Sequence, residues 1–115
     1  MDRKSRNEEE LAARQELTDV LRSVLSGHCT YLEAAPRVLH LQCRVGGVGE
    51  FDDDFRAFVA ISSETDQLPT LVTRHLWAEH AITALEPRIA KMETWAAGFA
   101  NASCLTLLAR FSETI

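Results

Sequence analysis

One face of the chain repeats at three- and four-residue intervals: Ile82, Leu85, Ile89, Met92, Ala96, Phe99, Ser103, Thr106 and Arg110. Leu107 and Phe111 widen it near the end. This spacing follows the 3.6-residue period of an amphipathic helix, not the two-residue period of a strand. It predicts a long helix over about 87–112. Such a stripe must be covered, and strand signals are too few to supply a sheet, so other helices must cover it. A further helix is expected over 70–85, with Leu71, Leu76 and Ile82 as core candidates. Pro87 either kinks it or opens the next helix. Gly98 costs about 1 kcal/mol relative to Ala inside a helix, a choice that a close helix crossing would explain.

The remaining periodic segments agree. Leu17, Val20, Leu21, Val24 and Leu25 form one helical face within 7–26. Asn7 is placed to cap that helix, Glu8 to Glu10 to meet its dipole, and Gly27 to end it. Residues 1–6 read as a frayed tail. Thr30-Tyr-Leu-Glu33 fits a capping box opening a helix over about 31–44. Pro36 conflicts with that register, so the helix either kinks or starts later. Gly46, Gly47 and Gly49 then end it, in the stretch that reads as the most flexible of the chain. Residues 52–62 fit a helix through Phe55, Phe58, Val59 and Ser62, or a strand through Phe55, Ala57, Val59 and Ile61. Asp52 to Asp54 before the apolar run decide for a short helix. SSETDQLP reads as a loop, in which Ser63 or Thr65 can bond nearby backbone. The expected fold is all-α: one domain over 1–115, an antiparallel bundle of four or five helices.

Charge narrows the function. Twelve Lys and Arg stand against seventeen Asp and Glu, a net −5. The one basic cluster, Arg3, Lys4 and Arg6, is followed at once by Glu8, Glu9 and Glu10, so nucleic-acid binding is not expected. The N-terminus MDRKSRNEEEL has no apolar stretch of a signal peptide, and no run of about 18 apolar residues could span a bilayer. The expectation is a cytoplasmic protein with no membrane association. Cys29, Cys43 and Cys104 are odd in number and widely spaced, and read as reduced, mostly buried thiols.

No constellation matches a known chemistry. His40-x-x-Cys43, with His28 or Cys29, has half of a tetrahedral ligand motif. His75 and His80 diverge on a helix, and HLWAEH is not HExxH. RVGGVGE lacks the spacing of a phosphate loop, and no G-x-S-x-G turn is present. No enzymatic activity, metal or cofactor is expected. Six acids, Glu50, Asp52, Asp53, Asp54, Glu64 and Asp66, bracket an aromatic run and face only Arg56. They are helix caps and solvated loop, or a docking surface for a basic protein. Trp77 and Trp95 read as core residues, with interface anchors as the alternative.

Phe55-x-x-Phe58-Val59-x-Ile61-x-Ser63-Glu64-Thr65-Asp66-x-Leu68-Pro69, followed by Arg74-x-x-Trp77, resembles a box in an uncharacterised family of small bacterial helical proteins. The resemblance covers about residues 15–108, and its most specific part is SETD-x-LP. It implies a helical fold and brings no catalytic residues with it. Some small acidic proteins of this kind are immunity partners of contact-dependent growth-inhibition toxins. The expected function is therefore a non-enzymatic immunity protein that binds a cognate, basic toxin domain, such as a nuclease, through Asp52, Asp53, Asp54, Glu64 and Asp66. The alternative is a structural or regulatory domain acting as a homo-oligomer. The box also admits a structural role, with Glu64 or Asp66 pairing Arg74 and holding Trp77 against the core.

Overall fold

The computed structural model describes residues 3–66 and 77–112. Within them lie four helices: α1 (Arg3–Leu25), α2 (Tyr31–Gln42), α3 (Arg56–Thr65) and α4 (Glu79–Ser112), with one 3-10 turn, Asp53–Phe55, leading into α3. No strand occurs among the described residues. Nor is any described helix long and apolar enough to cross a membrane.

The expected face of α1 is buried at Leu17, Val20, Leu21 and Val24, with Leu25 half-buried against the core and Ala13 extending the face by a turn. The helix does not begin at Asn7, however. It already includes Arg3 to Arg6, so that part of the segment expected to fray is helical and Asn7 is not a cap. Its other end is a Schellman motif. Gly27 adopts φ +86°, which only glycine reaches without strain. The His28 N–H then reaches the Ser23 carbonyl at 2.9 Å, and the Gly27 N–H that of Val24 at 3.1 Å.

α2 starts where the capping box places it. The Thr30 hydroxyl accepts from the Glu33 N–H at 3.1 Å. Two more N–H groups of the first turn, those of Tyr31 and Leu32, donate to the Glu93 carboxylate of α4 at 2.8 and 3.1 Å. Pro36 neither delays nor ends the helix, and its ring sits on the exposed side. After Gln42 the chain turns sharply, with Val45 fully buried. The Arg14 Nε donates to the Val45 carbonyl at 2.7 Å. Gly46 follows at φ +79°. The stretch read as most flexible is thus tied to α1.

After Asp52, which caps it, the chain is helical rather than extended, a 3-10 turn over Asp53–Phe55 running into α3, which settles the ambiguity there. α3 buries Phe58, Ile61 and Thr65 and runs to Thr65, four residues into the segment read as loop. Thr65 Oγ1 donates back to the Ile61 carbonyl at 2.6 Å. The rest of that loop, the start expected near 70 for the next helix, Leu71, Leu76, and Arg74 with its pairing lie outside the described residues.

α4 is one continuous helix through Pro87, not two. Its buried positions are Ala96, Ala100, Cys104, Leu107 and Phe111. The expected stripe over Ser103, Thr106 and Arg110 is therefore off by one residue, and the two apolar positions thought to widen it are its centre. Gly98 lies on the outer side, where an added Cβ would meet nothing within 4 Å among the described residues, so none of the described helices crosses there. Trp77 and Trp95 are not core: they are 37% and 41% exposed. Trp95 packs edge-on against Phe99, with ring centroids 4.8 Å apart.

Contacts at both ends fix the helix directions. Glu93 meets the start of α2, and Arg110 meets Asp52 and Asp54 beyond its end, so α2 and α4 run the same way. α1 runs against both. α3 begins where α2 and α4 finish and turns back along them. The result is an up-down-up-down bundle. The 34 residues of α4 span about 51 Å, matching the 50 Å long axis. None of its buried residues lies before Ala96, and among the described residues Ile89 and Met92 are the ones of its first half that pack on the core.

Candidate functional site

The acids expected to bind a partner separate into two groups. Asp52 caps the 3-10 turn, its Oδ1 accepting from the Asp54 N–H at 3.0 Å. Both its oxygens also accept from Arg110 Nη1 at 3.0 Å, and Asp54 Oδ2 accepts from the same nitrogen at 2.9 Å. Burial works against the charge of Arg110. The hydrogen bonds and charges of Asp52 and Asp54 more than offset this, and its pKa lies above the ordinary arginine value. The guanidinium also lies 5.2 Å from the centre of the Phe111 ring. Asp52 and Asp54 therefore hold the start of α3 to the end of α4, both carboxylates engaged by the one cation Arg110.

Asp53 faces the other way. Its side chain is 83% exposed and pairs at 2.8 Å with Arg56, itself 76% exposed. A pair so open to water is worth about 0–1 kcal/mol. Glu64 and Asp66 are exposed at the far end of α3. Arg56, Val59, Ser63 and Asp66 recur at three- and four-residue spacing, which puts them on one helical face, opposite Phe58 and Ile61. Val59 is 47% exposed at its centre. The outer face of α3 thus carries an apolar centre with Asp66 at one end and Asp53 just before the other, about 20 Å apart along the axis.

A second feature lies between the end of α2 and the segment that follows it. Leu39, Gln42, Cys43, Val48, Gly49 and Glu50 line an open groove of about 520 Å³. Its outer rim is the turn Gly49–Asp52, closed by the Asp52 N–H on the Gly49 carbonyl at 3.3 Å. Gln42 Nε2 donates to the carbonyls of Gly49 and Glu50 at 2.9 and 3.2 Å. Phe51, on that turn, is 85% exposed. Val48 and Phe51 among glycines are the sequence signal for this feature, and it does not stand out without the turn that gathers them.

The thiols differ from expectation. Only Cys104 is buried, while Cys29 is half-buried and Cys43 exposed. Burial pushes the Cys104 thiol up to about 11. Burial also raises Cys29, against the lowering charge of Arg37. Cys43 Sγ donates to the His40 carbonyl at 3.3 Å, an ordinary helix-end contact. Among the described residues no three His, Cys, Asp or Glu side chains gather as metal ligands. Comparison of the chain with protein-family models, with curated proteins and with solved structures finds no match.

Proposed function

We propose that this chain is a non-enzymatic protein-binding domain, and that the outer face of α3 docks a basic partner. The observation that carries the reading is the exposed Val59 on a helix face that ends in Asp66, with Asp53 just before its start and the exposed Glu64 to one side. An apolar centre within a charged rim is the common anatomy of a protein interface. The acids would steer a positively charged partner and speed its association. The net charge of −5 adds to that attraction at long range. Ser63 and Asp66 of the SETD segment fall on this face, while Thr65 is buried behind it, so half of that segment joins the family resemblance to the surface argument. The partner we propose is a cognate toxin domain, basic because it acts on nucleic acid, with this chain as its cytoplasmic immunity protein.

The test is growth protection. The C-terminal domain encoded just upstream is expressed with and without this chain. Killing that co-expression abolishes supports the proposal, and killing that continues regardless, or a harmless upstream product, removes it. The surface is tested separately by the triple variant Asp53→Lys, Glu64→Lys, Asp66→Lys. The variant should fold, associate more slowly and lose salt sensitivity in its on-rate. Unchanged association would exclude the α3 face.

A further inference from the structure

We propose that the groove beside Phe51 is a two-fold contact surface for a second copy of this chain, with the Phe51 ring of each copy entering the groove of the other. Phe51 is the most exposed of the chain's large apolar residues that the structure describes, at 85%. It does not line the groove; it projects from the rim, next to Glu50, which does. The turn that carries it is held on both sides, by Gln42 on the Gly49 and Glu50 carbonyls and by Arg110 on Asp52. The ring is therefore mounted on fixed backbone, and inserting it costs little ordering entropy.

One patch thus carries both a projecting ring and a recess with apolar walls, Leu39 and Val48. A two-fold contact needs this self-complementarity, because residue i of one copy meets j of the other and j meets i. A foreign partner would use only one of the two. The charges argue the same way. Glu50 lines the groove and the exposed Arg44 directly follows Cys43, which also lines it, and neither forms an ion pair with a described residue. Opposite signs on one patch suit a second copy, with Arg44 meeting the other copy's Glu50, whereas a uniformly basic partner would meet Arg44 with repulsion. Two phenyl rings bury about 150–250 Å² each, a fraction of the ~1,200–2,000 Å² of a standard interface. His40, Cys43 and Arg44, exposed at the end of α2, would add to that area, and a weak, reversible, concentration-dependent dimer is the expected product.

The experiment is sedimentation equilibrium of the full chain over a wide concentration range. The mass should rise from monomer to dimer and stop there. Phe51→Ala, on an exposed ring, should leave the circular dichroism and melting temperature unchanged while raising the dimer Kd by about tenfold or more. Arg44→Glu should weaken the dimer, and the exchange Arg44→Glu with Glu50→Arg should restore it. A monomer at every concentration overturns the proposal. So does an assembly larger than a dimer, or a dimer whose Kd Phe51→Ala does not move. The inference stands apart from the α3 reading: Phe51→Ala should leave growth protection intact, so either can fail alone.

Discussion

Glu93 of α4 caps the first turn of α2 from another helix, its carboxylate accepting the Tyr31 N–H at 2.8 Å and, through its other oxygen, the Leu32 N–H at 3.1 Å. With Thr30 taking the Glu33 N–H and its carbonyl taking that of Ala34, the opening N–H groups of α2 are all satisfied. Asn101 of α4 adds a hydrogen bond to the Tyr31 hydroxyl at 3.3 Å. α4 therefore fixes where α2 starts. Replacing Glu93 with Ala should cost about 1–2 kcal/mol, the range for a lost cap at a half-buried helix end. Glu93→Gln keeps one acceptor and should cost less. Denaturant melts of the two variants check the order.

Gly98 offers the opposite outcome. It sits mid-helix in α4, its exposed side open to at least 4 Å around an added Cβ. Gly98→Ala should stabilise the chain by about 1 kcal/mol, because it removes backbone entropy from the unfolded state and meets nothing in the folded one. A rise in melting temperature is the readout. A fall would mean that another surface packs against this one.

What could be read from the sequence was local. The Leu17 face of α1, the Thr30 cap and the Gly27 stop each depend on residues within a turn or two of one another, and each is where the spacing puts it. The inner face of α4 was misread by one residue because Ala96–Ala100–Cys104 carries little hydrophobic signal. The larger Phe99 drew the stripe to its flank. Asp52 and Asp54 looked like free acids because their cation, Arg110, is 58 and 56 residues away. The groove was not legible either. It exists only where the end of α2, the Gly49–Asp52 turn and its ties to Gln42 and Arg110 come together. Of the expected site, Asp53, Glu64 and Asp66 are the acids the fold leaves outward.

That division of the acids can be measured. Asp52→Asn should destabilise the bundle by about 1–2 kcal/mol, since it weakens both the 3-10 cap and the charge on Arg110. Arg110→Ala should cost a similar amount, discounted for a side chain one-third exposed. Asp53→Asn should lie within about 0.5 kcal/mol of wild type, as for a solvated surface group. Equal losses at Asp52 and Asp53 would refute the separation of structural from outward acids.

The thiols supply a prediction with a sign. Cys104 is buried, and its pKa is raised from 9.0 to about 11 in the fold. Unfolded, the thiol ionises near 9.0 and the native state resists doing so. A raised native pKa contributes stability that is fully present below the unfolded value and is lost as pH rises through the native one. The wild type should therefore lose stability relative to Cys104→Ala as pH climbs from 9 toward 11. Below 9 the gap between them should be constant and reflect only the methyl-sized cavity. Thiol labelling gives the same ordering in native protein. Cys43, exposed, should react first, Cys29 more slowly, and Cys104 only as fast as the chain opens. Labelling of Cys104 at the rate of Cys43 would show that the core around Ala100 and Leu107 is not closed.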